Sequence, residues 1–331
     1  MASRTEYSDS PVDPGWPARL HVVTGKGGTG KTSVAAALAL GLAAGGHRTL
    51  LVEVEGRQGI AQLFGTEPLP YEERLIATAP GGGEVRALTV DPELALLEYL
   101  ELFYRLGAAG RALRKVGAID FATTIAPGLR DVLLIGKVKE STTRSANGRR
   151  AYRAVVLDAP PTGRIGRFLN VTSEVAGLAR VGPIKHQSEG VSSLLRSPMT
   201  QVHVVTLLEE MPVQESLDAI AELTGLGIGV GKIVVNGARP PLLTDGKVTK
   251  AELRRGLSAA GLPVDAATLD GLQAEVRAHL TRAELEESLR TELAELGRPM
   301  VELPLLADGI DRAGLDTLAA LLVGPASPHH G

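Results

Sequence analysis

The sequence predicts an α/β fold with a doubly wound, mostly parallel sheet and a helical insertion. Short apolar runs of strand length alternate with longer helical stretches along the 331-residue chain. This order is typical of a parallel sheet covered by helices on both faces. A glycine-rich turn joins the first apolar run directly to the first helix. The 39 glycines and 20 prolines are too many for a helical bundle and suit a fold with many strand-to-helix turns.

Each predicted strand is a short apolar run bounded by glycine, proline or polar residues. The strands are, in order, Leu20–Val23, Thr49–Val54, Val85–Val90, Ala154–Asp158, Val202–Thr206, Lys232–Asn236 and Met300–Leu303.

The predicted helices have start signals or helical spacing of apolar and charged residues. Thr32–Ala44 is rich in alanine and leucine. Asp91-Pro92-Glu93 starts a mostly helical stretch over 91–143, because Asp is a good cap and Pro suits the first helical position. Residues 249–297 place opposite charges three and four apart. Asp311–Leu322 is the last predicted helix.

Composition excludes several classes of protein. The 35 Lys and Arg residues against 38 Asp and Glu give a net charge of −3, so no global basic field points to nucleic acid or an anionic membrane. Without cysteine, no zinc–thiolate site, disulfide or Cys nucleophile can form. The start of the chain lacks the apolar region of a secretory signal, and no apolar run is long enough to span a bilayer. We therefore expect a cytoplasmic protein with no stable membrane anchor and no zinc.

Composition and the order of the predicted elements divide the chain into three parts. Residues 1–18 are polar with three prolines and predict a flexible leader. Residues 19–325 predict one nucleotide-binding domain with a helical subdomain at about 91–145 and a second helical insertion at about 240–298. Residues 326–331 predict a disordered tail.

The most specific motif is a phosphate-binding loop after the first strand. Gly25–Thr32 matches G-x-x-x-x-G-K-[ST], the Walker A pattern, in which backbone N–H groups cradle phosphate oxygens. Lys31 would contact the β- and γ-phosphates of ATP, and the Thr32 hydroxyl would bind Mg²⁺. The predicted nucleotide-binding residues are Gly25, Lys26, Gly27, Gly28, Thr29, Gly30, Lys31, Thr32 and Ser33.

Lys26, directly after the first glycine, gives the loop the form K-G-G-x-G-K-T. This form resembles the deviant Walker A loop of the nitrogenase iron protein, the division-site selector MinD, and the arsenite-pump and tail-anchored-protein-targeting ATPases. In that class the lysine reaches across a dimer interface to the partner's nucleotide. The resemblance therefore implies a dimer and a catalytic role for Lys26, with a solvated surface lysine as the alternative.

Two other segments resemble the same ATPases. Asp158 ends a strand and begins D-A-P-P-T-G, which is similar to their D-x-A-P-T-G-H switch and implies that Asp158 serves the Mg²⁺ site. Asn236 ends V-V-N, which in those families supplies an amide to adenine; a turn asparagine is the alternative. The segment 304–306 is weakly similar to the loop that closes over the base.

The first switch departs from the family pattern. Those ATPases carry D-P-x-H/A after the second strand, and the Asp orients the attacking water. Here Glu55 stands at the position of that Asp, Gly56 replaces the proline and Gln58 lies near the position of the histidine. We expect Glu55 or Gln58 to assist hydrolysis as catalytic residues. The alternative is that the site binds ATP and hydrolyses it slowly.

In detail, the segments E-V-E-G-R-Q-G and P-P-T-G-R look like the paired anion-transporting ATPase homologues of actinobacteria, in which two paralogues often lie side by side. The resemblance implies an ATP-hydrolysing dimeric switch coupled to a client or partner protein. The alternative is a weakly hydrolysing, ATP-binding regulatory subunit that assembles with an active paralogous ATPase. The partner would be a second copy or that paralogue. The apolar stripe in 91–143 predicts core packing, or else a groove for a client.

Overall fold

The computed structural model of the chain describes residues 15–104, 129–146, 148–170, 183–240 and 248–324. Strands and helices alternate through these residues. The strands are β1 (Leu20–Gly25), β2 (Arg48–Glu53), β3 (Arg74–Ala79), β4 (Gly83–Thr89), β5 (Ser145–Ala146), β6 (Arg149–Arg150), β7 (Ala154–Asp158), β8 (Thr200–Thr206), β9 (Val230–Ala238) and β10 (Met300–Pro304).

The helices of the described residues cover both faces of the main sheet. They are α1 (Lys31–Ala43), α2 (Gly59–Phe64), α3 (Pro92–Tyr104), α4 (Leu129–Thr143), α5 (Thr162–Leu169), α6 (Pro183–Leu195), α7 (Glu210–Gly225), α8 (Lys250–Ala259), α9 (Ala266–Ala294) and α10 (Arg312–Val323). Among them, no helix is both long and apolar enough to cross a bilayer.

The main sheet has eight strands in the order β10-β9-β8-β1-β7-β2-β4-β3. Every neighbouring pair is parallel except β3 with β4, which is antiparallel. β2, β3 and β4 lie on one side of β1, whereas β8, β9 and β10 lie on the other, so the chain winds outward in both directions from β1. In open α/β sheets, ligands bind beyond the carboxyl ends of the strands at such a switch point. The predicted α/β class with a doubly wound, mostly parallel sheet is confirmed.

The core lies in two layers, one on each face of the sheet. Successive residues of a strand point to opposite faces, so Leu50 and Val52 pack in one layer while Leu51 packs in the other. The central strands are buried on both faces and are therefore apolar almost throughout. On one side the alanine-rich α1 packs against α10, and on the other α4, α5, α6 and α7 cover the sheet.

β3 is the strand of the main sheet that the sequence analysis did not predict; β5 and β6, which form a separate two-stranded sheet, were not predicted either. It pairs with β4 through a turn at Gly81 and Gly82, residues that had been interpreted only as a loop before the third strand. As an edge strand, β3 leaves Leu75 about half exposed and lacks the continuous apolar run of a buried strand. Its signal in the sequence is therefore weak.

The predicted leader and insertions can be compared with the structure in part. Trp16 and Ala18 are fully buried, so packing begins before residue 19, the domain boundary predicted from the sequence. Helices occupy both described ends of the predicted 91–145 subdomain, whereas its residues 105–128 lie outside the described residues. α8 and α9 fall within the predicted insertion at about 240–298. The predicted tail 326–331 also lies outside the described residues.

A buried histidine pair joins β1 to β8. His21 Nδ1 lies 3.0 Å from His203 Nε2, and the backbone N–H of Lys232 donates to His203 Nδ1 at 3.0 Å. Trp16 covers the pair and donates to the Leu322 carbonyl at 2.8 Å. Burial lowers the pKa of His21 to about 4 and also lowers the pKa of His203. Both rings are therefore neutral in the folded chain at neutral pH.

The histidine pair predicts loss of stability in mild acid. Between about pH 6.5 and pH 4 the unfolded chain binds protons that the folded chain excludes, so the free energy of unfolding falls as the pH is lowered through this window. His21 alone accounts for roughly 3 kcal/mol at the lower end. Urea unfolding at pH 7, 6, 5 and 4.5 measures the slope, which His203→Gln should make shallower. His186→Gln, an exposed control, should leave it unchanged; equal slopes in all three proteins would contradict the assignment.

Candidate nucleotide-binding site

The glycine-rich loop lies where β1 ends and α1 begins. Gly28 and Gly30 have φ of 90° and 86°, in the left-handed region that favours glycine. The Thr29 hydroxyl donates to the Lys26 carbonyl at 2.9 Å, which closes the loop on itself. Lys31 and Thr32 then start a 13-residue buried helix, whose N-terminus carries a partial positive charge suited to phosphate.

Asp158 lies beside this loop because β7 pairs with β1, with Val23 opposite Asp158. The Thr32 hydroxyl donates to Asp158 Oδ2 at 2.8 Å, so the two residues predicted to serve Mg²⁺ are in contact. Among the described residues, the buried Oδ1 of Asp158 has no hydrogen-bond partner. A buried unpaired carboxylate oxygen next to a hydroxyl suits the oxygen-rich shell that Mg²⁺ and its waters require.

The electrostatics of Asp158 also suit a cation. Burial, the largest cause, together with the charges of Glu53 and Glu55 raises the pKa of Asp158 to about 6. The Thr32 hydrogen bond and the Lys31 ammonium act in the opposite direction. The carboxylates of Glu53 and Glu55 disfavour a negative charge on Asp158, so a cation beside Asp158 would relieve this repulsion.

Asn236 lies on β9 and contacts the phosphate loop from the side. Its side-chain Nδ2 donates to the Thr29 carbonyl at 2.9 Å. It also borders a cleft of about 560 Å³, whose other lining residues include Leu207 and Leu208 after β8, Leu305 after β10 and Arg282 on α9. Asn236 and Leu305, from the 304–306 segment, therefore line the same cleft. In this structure one amide N–H of Asn236 braces the loop.

Lys26, in the first half of the same loop, forms an ion pair within its own chain. Its Nζ lies 2.8 Å from Glu215 Oε1 on α7. The Thr162 hydroxyl, at the start of α5, donates to Glu215 Oε2 at 3.0 Å. One carboxylate thus joins the loop lysine to the end of the D-A-P-P-T-G segment.

Glu55 lies in the loop after β2 and forms ion pairs with two arginines. Its Oε1 is 3.5 Å from an Arg164 guanidinium nitrogen and its Oε2 is 3.7 Å from Arg57 Nε. Both arginines are largely exposed, whereas Glu55 is mostly buried. Arg164 follows Gly163 on α5, so this contact joins the two predicted switch segments.

Gln58 holds the loop after β2 in shape. It adopts φ of 57°, and its side-chain Oε1 accepts from the Leu69 N–H at 2.7 Å while its Nε2 donates to the Leu69 carbonyl at 3.3 Å. The structure places its amide against Leu69 and Thr89. The predicted catalytic residues Glu55 and Gln58 thus share a loop, but each is engaged by other groups.

The sequence analysis missed two acidic residues of the site. Glu53, 2% exposed, lies opposite Asp158 in the sheet and accepts from the N–H groups of Gln58 at 2.5 Å and Ile60 at 3.3 Å. An acid at the carboxyl end of a buried strand was the signal that identified Asp158, and it applied equally to Glu53. Glu215 had no such signal, because it lies in an amphipathic helix far along the chain.

The fold and this loop define a nucleotide-binding ATPase of the P-loop class. A sequence model of the anion-transporting ATPase family matches residues 18–193, and the chain belongs to that family. ATPase BagA of Mycobacterium tuberculosis is 52% identical over 336 aligned positions, which cover 97% of this chain and 98% of that protein. The predicted family is confirmed, and so is the general prediction of an ATP-binding ATPase.

More distant relatives have other named roles. The arsenical pump-driving ATPase of Escherichia coli is 27% identical over 278 positions, covering 74% of this chain and 44% of that protein. ATPase get3 of Schizosaccharomyces japonicus is 27% identical over 247 positions, covering 65% of this chain and 72% of that protein.

The loop geometry predicts different effects for two glycines. Gly30→Ala should lower the free energy of unfolding by about 1–2 kcal/mol from left-handed backbone strain alone. The new Cβ would also collide with the side-chain nitrogen of Asn236. Gly27→Ala is the matched control, because its Cβ meets nothing within 4 Å and its φ is not positive. Urea unfolding of both variants measures the difference, and equal stabilities would show that the loop adopts another conformation.

Proposed function

We propose that this chain is a cytoplasmic, ATP-dependent molecular switch that binds Mg²⁺·ATP, works as a dimer and hydrolyses ATP slowly. The observation that carries the proposal is the contact between Thr32 and Asp158 at the mouth of the glycine-rich loop. It brings a hydroxyl and a buried carboxylate with a free oxygen next to a loop of phosphate-binding shape. The family membership supports the same chemistry.

Different residues of the chain would bind the phosphates, the Mg²⁺ ion and the adenine of ATP. Backbone N–H groups of the loop and of the first turn of α1, including that of Ser33, would cradle the phosphates, and Lys31 would neutralise the β- and γ-phosphate charge. Thr32 and Asp158 would hold Mg²⁺, directly or through water. When bound, Mg²⁺ neutralises the charge that develops on the phosphate oxygens. The adenine would enter the cleft beside Asn236 and Leu305.

Hydrolysis in this proposal depends on Glu55. Its carboxylate could orient a water for attack on the γ-phosphate, as a shorter Asp does in related ATPases. Here Glu55 is paired with Arg164 and Arg57, so it must leave these partners before it can act. This rearrangement supports slow turnover by the isolated chain.

The partner would be a second copy of the chain or a paralogous ATPase, which Lys26 would contact across the interface. Coupling to a client protein would need the groove that was the alternative for the apolar stripe in 91–143. In the stripe predicted at 91–143, Leu96 is buried and Leu97 half-buried in the core, which favours packing at this end of α3.

A second candidate function is an ATP-binding regulatory subunit that assembles with an active paralogue. The engagement of Gln58 with Leu69, together with the Glu55 ion pairs, favours it. The two candidates differ in whether Glu55 serves hydrolysis in this chain.

The two loop lysines should have separable effects. Lys31→Ala should weaken Mg²⁺·ATP binding at least about tenfold, because it removes the loop's cation on the β- and γ-phosphates. Lys26→Ala should leave ATP affinity near that of the wild type. It should abolish the increase in turnover that the partner subunit causes, because Lys26 would serve the partner's nucleotide. Isothermal titration and a phosphate-release assay measure the two quantities. Unchanged affinity in a folded Lys31→Ala variant would contradict the proposed phosphate site.

Glu55→Gln tests the catalytic step. The change keeps the size of the side chain and removes its charge, so the single-turnover hydrolysis rate should fall at least about tenfold while ATP affinity stays near that of the wild type. Glu67→Gln, at an exposed acid twelve residues further along the chain, is the matched control and should change neither. A Glu55→Gln rate equal to that of the wild type would favour the regulatory-subunit function.

A further inference from the structure

Glu215 uses both of its carboxylate oxygens to join two segments of the candidate site. Oε1 pairs with the Lys26 ammonium at 2.8 Å, and Oε2 accepts from the Thr162 hydroxyl at 3.0 Å. Lys26 belongs to the phosphate loop, while Thr162 follows Asp158-Ala159-Pro160-Pro161 directly. Glu215 itself belongs to α7, which packs against α5; at Gly166 the two helices are so close that a Cβ would collide with the Glu222 carboxylate.

The Lys26–Glu215 pair is ionic and easily exchanged. The Lys26 hydrogen bond lowers the pKa of Glu215, so the carboxylate is charged at neutral pH. The Lys26 side chain is 30% exposed and that of Glu215 is 34% exposed. An ion pair this exposed contributes little net stability, and a phosphate group with more charge can replace the carboxylate. The lysine is therefore held, but within reach of a competing anion.

The second oxygen of Glu215 ties this pair to Asp158. The backbone between Asp158 and Thr162 is short, and the Thr24 hydroxyl anchors it by donating to the Pro160 carbonyl at 2.7 Å. Asp158 in turn contacts Thr32. A displacement of Asp158 that moves Thr162 would thus alter the hydrogen bond that orients Glu215.

We infer that Glu215 is a positioning residue that holds Lys26 within its own chain and releases it when the Asp158–Thr162 segment rearranges. Release makes Lys26 available to the phosphates of a partner subunit, so Glu215 sets the concentration at which ATP brings two chains together. The inference rests on the proposed ATP-dependent dimer and adds its regulation. The Lys26 ammonium that lies 2.8 Å from Glu215 Oε1 has its charge balanced within its own chain, so a partner's phosphate must compete with this carboxylate for it.

Glu215→Gln tests the inference, because it keeps the shape and removes the charge. Analytical ultracentrifugation with Mg²⁺·ATP should show dimers at a protein concentration about twofold to fivefold lower than for the wild type, the range expected for loss of one exposed ion pair. ATP affinity of the monomer should stay within about twofold. Asp218→Asn, one turn further along α7 and exposed, is the matched control and should behave as the wild type.

Two further measurements separate positioning from a structural role. In a Lys26→Ala background, Glu215→Gln should have no additional effect on dimer formation. Without nucleotide, reductive methylation followed by mass spectrometry should show faster modification of Lys26 in Glu215→Gln than in the wild type. Glu215→Ala should change both measurements in the same direction and serves if the Gln variant does not fold.

The outcomes distinguish the inference from the proposed function. Suppose that the wild-type chain binds ATP and dimerises. The role of Glu215 alone is then overturned if Glu215→Gln does not lower the protein concentration needed for dimers, or if it still lowers that concentration in the Lys26→Ala background. A wild-type chain that binds no ATP overturns the proposed function. Unchanged Lys26 methylation in both Glu215 variants overturns the holding contact whether or not the chain forms a dimer with itself.

Discussion

The parallel pairing of β1, β7 and β2 is the constraint on which the site depends. It places the ends of three strands side by side, with Asp158 opposite Val23 on one side and opposite Glu53 on the other. The phosphate loop, the Asp158 segment and the loop after β2 must therefore leave the sheet at the same edge. The Thr32–Asp158 hydrogen bond is a direct result of this register.

At this edge of the sheet, acidic and basic side chains form ion pairs whose partners an anionic ligand can replace. Burial raises the pKa of Asp158, Glu53 and Glu55 act in the same direction, and Lys31 opposes them. Glu55 and Glu215 are paired with Arg164 and Lys26, which are cations that phosphate groups also attract. Glu53 differs from the other acids because it is bound by two backbone N–H groups and fixes the loop instead. Glu53 is therefore held by the backbone, whereas Glu55 and Glu215 form ion pairs that a phosphate group can compete for.

The family relationship and the structure inform different questions. Membership in the anion-transporting ATPase family covers the phosphate loop and the Asp158 segment, both within residues 18–193. The loop after β2 also lies in that range, yet its Glu55 and Gln58 contacts describe this chain in particular. The family shows that the chain is an ATPase of this class, and the local contacts are the reason to expect slow hydrolysis.

The sequence by itself determined the fold class and identified the glycine-rich loop and Asp158 as candidate site residues, because each depends on local patterns: apolar runs, glycine spacing, and an acid at a strand end. It placed all the parallel strands of the main sheet to within a few residues for the same reason. Only the tertiary structure decided the edge strand β3, whose pairing depends on β4, and the burial of Trp16 against residues some 300 positions away. It also decided the partners of Lys26, Glu55 and Asn236. These contacts join segments that are distant in sequence. A local sequence pattern cannot predict them, because they depend on which strands and helices become neighbours in the folded chain.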